Sequence, residues 1–548
     1  MAVRNFGLGR SRPEIAAATR SVVPQRVASV TRVTIAARAV CLLALLVVVL
    51  AGCEESPDFL RAGPFNSHRS YARALTLHGL DRSSIGARWL DASTRPFVDG
   101  KRTLAPFTER IYLDPLLTPA VGYEFAATLG QRIDVSIDTD LRGFFVDLFL
   151  VEGEAGDRLV RTNPRLPDPI LSWVVEEDEV ISFEPRETGW YLLRIQPRLL
   201  EGGEVTVTVA ADASLAWPVV GTDRRRIWSF FGDSRAGGAR VHHGVDIFAP
   251  RGTPLVAISP STVMRVGERN LGGNIITLHD RERELMIYYA HLDEQLANQG
   301  DLVEPGDVIG TVGNTGNAIT TPPHLHIGIY QTHWRRPVDP WYFIVPPDRT
   351  PEPIWRIEYP IGSWVQVSGT PAALIRYPAA RSGVAQSPAR FDAVGAPIRA
   401  EDVAPSRLGA GEPVAAEIVP GTPIRVMGAT RSFYLVELPT GERGYLSRTV
   451  VARIPPPTAR LTTGEPLDVF TRPDRTSDVA AVLPPGQAVA VYARWQGRYG
   501  LVFRENGLAG WIALPTESLS SLNRDRSPGE NPASPQIPGP VLPNQSPG

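Results

Sequence analysis

The chain has 548 residues, a formal net charge of −2, 43% apolar and 21% charged residues, and only two cysteines. That length exceeds what one hydrophobic core serves, so several domains are expected, and no disulfide framework can hold them. The charge balance gives no sign of nucleic-acid binding through a basic patch, and the high proline (51) and glycine (49) counts favour many strands and turns over long helices.

Residues 1–38 hold seven arginines and one acid, Glu14, and precede an apolar run from Ala39 to Gly52. A run of that length falls short of the roughly 20 residues that span a bilayer. Basic flank, short apolar core and small terminal residues describe a secretory signal at 1–52. Its end, Leu50-Ala51-Gly52-Cys53, resembles the lipobox of bacterial lipoproteins. The resemblance implies cleavage before Cys53 and lipid attachment to its sulfur. Cys41 would leave with the signal, and so would a net charge of +6, which leaves the mature chain near −8.

Residues 53–66 read as a polar tether. Residues 67–97 carry Tyr71, Leu75, Leu80, Ile85 and Leu90 at roughly helical spacing and predict one or two short helices. From 98 to 212 the period becomes two. Ile133, Val135 and Ile137 alternate with polar residues, as do Val205, Val207 and Val209, with further strands at Phe145–Val151 and around Gly189-Trp190-Tyr191. An antiparallel sandwich is expected. The Gly-Trp-Tyr-Leu-Leu-Arg-Ile strand resembles the pre-peptidase C-terminal domain found beside secreted bacterial peptidases, which implies an accessory role.

Residues 213–347 carry the chemistry. His and Asp stand in three clusters: His242-His243-Gly244-Val245-Asp246, Tyr289-Ala290-His291-Leu292 and His324-Leu325-His326. Both residue types bind a hydrolytic zinc, which takes three protein ligands and keeps one position for water. On a strand, residues two apart face the same way, so His324 and His326 project together while Leu325 and Ile327 face a core. His242 and Asp246 supply a second arm. Spacing alone leaves His242 and His243 interchangeable, and leaves open which of His324 and His326 is the ligand.

Residues 348–365 are a Pro- and aromatic-rich linker. Two related segments follow, 366–455 (with an insertion around 380–412) and 458–516. Each runs from a Pro-Gly turn (Pro420-Gly421, Pro485-Gly486) through an aromatic-containing strand to Gly-aromatic-aliphatic (Gly444-Tyr445-Leu446, Gly510-Trp511-Ile512). This order resembles bacterial SH3-like domains, small β-barrels that often bind cell-wall peptides. Residues 517–548 are too polar to offset ordering entropy, so disorder is expected.

From about Trp217 to Trp341 the chain resembles the lysostaphin/LytM-type zinc endopeptidases of bacterial cell walls. The match includes Phe230-Phe231-Gly232, His242-His243-Gly244-Val245-Asp246, Gly272-Gly273-Asn274, Tyr289-Ala290-His291-Leu292, Gly313-Asn314-Thr315-Gly316 and His324-Leu325-His326. The resemblance implies zinc ligands at His242, Asp246 and His326 and catalytic histidines at His291 and His324, with His243 a bystander. His68, His78, His279 and His333 are read as ordinary surface or hydrogen-bonded residues. The family commonly has Gly-Pro before His-x-His, where this chain has Pro322-Pro323.

The resulting expectation is a mainly β, multidomain chain. A β-sandwich precedes an antiparallel-sheet zinc peptidase domain and two small SH3-like β-barrels. Its expected function is zinc-dependent hydrolysis of peptide cross-links in peptidoglycan, with peptidoglycan peptides as partners. The lipid would hold it in the cell envelope, facing the periplasm and on the outer membrane rather than the inner, since residue 54 is Glu and not Asp. The alternative is a non-catalytic wall-binding lipoprotein that activates another peptidoglycan hydrolase.

Overall fold

In the computed structural model, the described residues are 66–514 except 104, 116–117, 142, 153–166, 176–179, 332–333, 376–389, 392–396, 399–417 and 504–508. The signal, Cys53, the tether as far as residue 65, most of the 380–412 insertion, His333 and the C-terminal tail lie outside them. The described residues are mostly strands in several antiparallel sheets.

Two short helices come first, His68–Leu77 and Ser84–Ala92. Ser67 starts the former by a reciprocal capping box with Ser70, which satisfies backbone donors that a helix start leaves free. Their apolar sides, Tyr71, Leu75 and Trp89, bury against Phe145 and Leu199.

The next strands form two facing sheets. One has five strands in the spatial order Lys101–Thr103, Val121–Ala127, Gly189–Pro197, Phe144–Glu152 and Leu171–Val175. The other includes Phe107–Leu113, Gly203–Ala213, Gln131–Thr139 and Val180–Phe183. Period-two burial explains the pairing: Ile133, Val135 and Ile137 meet Tyr123 and Phe125 across a shared core. This second sheet does not stop at its own segment. Phe107–Leu113 pairs with Pro423–Ala429 through Arg110↔Ala429 and Ile111↔Gly428, and Phe433–Glu437 and Arg443–Ser447 continue the sheet. Met427, Leu435 and Tyr445 therefore sit in the sandwich core.

Between these two halves lies the segment with the histidine clusters. Its main strands are β1 (Val245–Phe248), β2 (Ser261–Arg269), β3 (Gly273–Asp280), β4 (Leu285–Gln295) and β5 (His324–Gln331), arranged β1-β5-β4-β3-β2 within a ten-stranded sheet. One face buries Val245, Ile247, Ile276, Leu278, Ile287, Tyr289, Leu325, Ile327 and Ile329. The alternate residues face a groove. The chain begins and ends this segment at one place, where the Leu215 amide donates to the Phe343 carbonyl at 2.8 Å. There Phe343 packs so closely on Gly130 that a Cβ would stand 2.5 Å from its ring. Arg283 bonds Glu184 of the sandwich with both ends of its guanidinium, at 2.7 and 2.6 Å.

The C-terminal strands, from Ala459–Thr462 to Ala509–Ala513, form a separate six-stranded sheet. Its Trp511 meets Trp364 edge-on at 5.5 Å.

Candidate metal centre and active-site groove

Strand register assembles the site. β1 pairs with β5 so that Asp246 faces His326 and Phe248 faces His324, and Ala290 of β4 stands on the other side of His326. These residues share one face because they are two apart on their strands. His242 reaches the same point from just before β1. Gly244 allows this crossing: a Cβ there would meet the Ile327 carbonyl at 2.4 Å and the His326 ring at 2.8 Å.

Three atoms converge. His242 Nε2 and His326 Nδ1 are 2.9 Å apart, His326 Nδ1 and Asp246 Oδ1 2.9 Å, and His242 Nε2 and Asp246 Oδ1 3.0 Å. His242 Nδ1 lies 2.8 Å from the Phe230 carbonyl. A carbonyl only accepts, so that nitrogen carries the ring proton and Nε2 presents its lone pair. One proton cannot satisfy three mutually close acceptors, whereas a cation can. The spacing suits a single ion at the roughly 2.0–2.2 Å of zinc–nitrogen and zinc–oxygen bonds. Among the described residues, His242, Asp246 and His326 form a donor group fit for a metal.

The surroundings prepare these donors. Arg235 Nη2 donates to Asp246 Oδ2 at 2.6 Å, which leaves Oδ1 facing the two imidazoles. Burial pushes the Asp246 carboxyl up, but hydrogen bonds with His242 and His326 hold it well below the usual carboxylate range. Burial pushes His326 down against the pull of Asp246. Both shifts favour the metal-binding forms, carboxylate and neutral imidazole.

His291 and His324 stand beside the trio, their ring centroids 5.0 Å apart, with His291 6.0 Å from His326. Each donates Nδ1–H to a carbonyl at 2.9 Å, His291 to Thr315 and His324 to Pro322, which leaves Nε2 free to accept a proton. Burial, and the neighbouring His326 and His324, lower the pKa of His291 to about 4. His324 also stacks on Phe248 at 4.8 Å. Pro322 thus serves the site through its carbonyl.

His291 is aimed by an irregularity. Simple alternation after buried Tyr289 and groove-facing Ala290 would turn position 291 into the core. Instead the β3–β4 register slips between Asn274 and Ile276, His291 takes φ +66°, and Leu292 becomes the buried residue. The Gly272 carbonyl accepts from the His291 amide at 2.7 Å. Gly273, at φ +61°, has no room for a Cβ against Thr315. Asn274 Nδ2 bonds the carbonyls of Leu292 and Asp293, and Thr315 Oγ1 donates to the Leu292 carbonyl. The two Gly- and Asn-containing turns therefore brace the bulge that presents His291.

The remaining histidines fall elsewhere. His243 is exposed beside Phe231 and outside the trio. His68 is buried under the N-terminal helices, stacked on Trp89 and bonded to Gln196 at 2.9 Å. His78 ends the first helix, and His279 lies on β3. Sequence reasoning missed Arg235 and the carbonyls of Phe230, Thr315 and Pro322. Backbone carbonyls have no sequence signature, and the Phe230-Phe231-Gly232 motif was the sole pointer to one of them. Trio and histidine pair lie in a groove of about 1080 Å³.

Known proteins share this segment. The model of peptidase family M23 matches residues 240–340. The chain is 39% identical over 115 residues to the L-Ala–D-Glu endopeptidase of Bacillus subtilis, covering 20% of this chain and 35% of that protein. It is 40% identical over 87 residues to lysostaphin of Staphylococcus simulans, covering 16% and 17%. It is 35% identical over 154 residues to the uncharacterized lipoprotein YgeR of Escherichia coli, covering 27% and 57%. The solved catalytic domain of lysostaphin aligns at 34% identity with a TM-score of 0.19, over 21% of this chain and 87% of that one. The chain thus spans only about a third of the length of the first of these curated relatives. Residues 240–340 are a peptidase family M23 domain, similar to those of the lysostaphin/LytM type.

Proposed function

We propose that this protein is a zinc endopeptidase that hydrolyses peptide cross-links of peptidoglycan. The observation that carries the reading is the convergence of three acceptor atoms within 3.0 Å of one another beside two further imidazoles. His242, Asp246 and His326 would hold the metal. A zinc ion there supplies Lewis acidity that polarises a peptide carbonyl and makes water acidic enough to attack near neutral pH. His291 and His324 hold and move protons at Nε2: one takes the proton of the attacking water and the pair returns it to the leaving amine. Their Nδ1–H bonds to carbonyls keep both rings in the required tautomer. The names of the curated relatives, which include peptidoglycan and glycyl-glycine endopeptidases, support the substrate class.

The same reading places a lipid on Cys53, the protein in the cell envelope, and the C-terminal β modules on the wall as retention elements. The decisive experiment incubates residues 54–548 with zinc and purified sacculi, alongside His326→Ala, and analyses released fragments by mass spectrometry. Uncross-linked peptides from the wild type alone are expected. Stoichiometric zinc with no release, in the full chain and in residues 213–347 alike, would overturn the enzyme reading in favour of an activator of another hydrolase.

A further inference from the structure

The groove beyond the metal donors carries a charge pattern that the chemistry of hydrolysis does not require. Its lining includes Arg235, Arg240, Arg265 and Arg269, and a single carboxylate, Asp246. Arg235 is bonded to Asp246. Arg240, Arg265 and Arg269 are exposed, and none has an ion-pair partner among the described residues. The whole chain is net negative. A cationic groove on an anionic molecule focuses its field at the groove and draws in anions.

The fold places these arginines deliberately along the substrate path. On β2 the register slips between Val263 and Arg265, so Met264 and Arg265 both turn out of the core while Val263 stays in it. Arg265 then heads a cross-sheet row with Thr277, Tyr288 and Gly328, next to the row of Ala290, His326 and Asp246. Arg269 lies four residues along the same strand and on the same face. The Tyr288 ring in that row is 5.9 Å from that of His326. Arg240 stands on the other side of the metal donors, cross-strand from Arg235 in the ribbon before His242.

We infer that the groove selects anionic peptides, with free carboxylates on both sides of the bond to be cut, over uncharged ones. β2 is three strands from β5, about 14 Å at the usual spacing, and an extended peptide covers that in roughly four residues. With the arginines reaching inward, the carboxylate they meet lies about two to four residues from the reacting carbonyl. A cross-link that retains free carboxylates, such as one built on a diaminoacid, meets this requirement. A glycine bridge offers no charge to Arg265 or Arg269. This inference rests on the endopeptidase reading and narrows its substrate.

The test measures binding and cleavage separately. Two fluorescent peptide dimers of one sequence are prepared, one with free carboxylates and one with every carboxylate amidated. Their Kd values for the zinc-loaded full chain are read by anisotropy at low salt. The free-acid dimer is expected to bind at least about tenfold tighter. That advantage should fall to about twofold in Arg265→Gln/Arg269→Gln and at high salt, and persist in Arg265→Lys/Arg269→Lys. Equal affinity for the two dimers, or an advantage untouched by the glutamine pair, overturns the inference. Retained discrimination without cleavage of either dimer overturns the endopeptidase reading and leaves the anion selectivity standing.

Discussion

The sandwich and the groove both bury charged groups, and they are wired differently. Among the described residues of the sandwich, the buried acids Glu109, Glu124, Asp147 and Glu152 each have a cation. Arg194 holds Asp147 at 2.6 Å and donates to the Ser93 carbonyl, while Ser172 donates to the other Asp147 oxygen. Arg102 holds Glu124 at 2.8 Å, and Lys101 and Tyr445 hold the two oxygens of Glu109. In the groove, the His242 and His326 nitrogens and Asp246 Oδ1 crowd within 3.0 Å with at most one proton to share, and two more imidazoles keep Nε2 free. An acid already paired with a cation needs no ligand and serves the fold. An open network is complete only with a ligand, and that incompleteness marks the functional site.

The comparison predicts opposite phenotypes. His326→Ala removes a converging donor from a strand whose core face is untouched. Hydrolysis should fall at least about 10⁴-fold and zinc should no longer bind stoichiometrically, with the melting curve in chelator little changed; inductively coupled plasma analysis and fragment release check both. Asp147→Ala should do the reverse. It strands Arg194 in the interior and should destabilise the chain by about 3–5 kcal/mol in urea, while activity per folded molecule stays the same.

Acid sharpens the contrast. Burial, with Arg194 nearby, lowers the pKa of His68 to about 3. Between that value and the 6.5 of the unfolded chain, the unfolded state binds the extra proton. The stability due to neutral His68 is therefore whole above about pH 6.5 and drains as pH falls toward 3, with roughly 3 kcal/mol gone by pH 4. Melts of the wild type and of His68→Gln across pH 4–7 should converge at low pH; parallel curves would refute this role. The smallest effect is expected at Arg235→Gln. Loss of its bond to Asp246 Oδ2 should weaken zinc about 10- to 100-fold, measured by competition with a chelator, without removing it.

What the sequence disclosed depended on distance along the chain. His324 and His326 were readable because two-residue spacing on a strand is a local rule, and the buried Leu325 and Ile327 obey it. His291 was readable only through a family motif, since alternation points it into the core and a bulge braced by Thr315, over 20 residues later, turns it out. The arginines of the groove carry no sequence signal, because register places Arg265 in line with Tyr288 and no local pattern encodes register. The union of the sandwich with the strands after 423 was equally hidden. Arg110 and Ala429 pair across more than 300 residues, and neither segment advertises the other.

That union has a mechanical consequence. The peptidase segment leaves and rejoins the rest of the molecule at one hydrogen-bonded point, between Leu215 and Phe343, while the strands before and after it are zipped together at Arg110–Ala429 and Ile111–Gly428. Tension applied between the N-terminal helices and the C-terminal sheet therefore passes through that zipper and bypasses the groove. Single-molecule pulling from the two ends should show the zipper part before the peptidase unfolds. Under such tension the histidine-bearing segment stays off the load path, steadied against the sandwich by Arg283 and Glu184, while its frame takes the load.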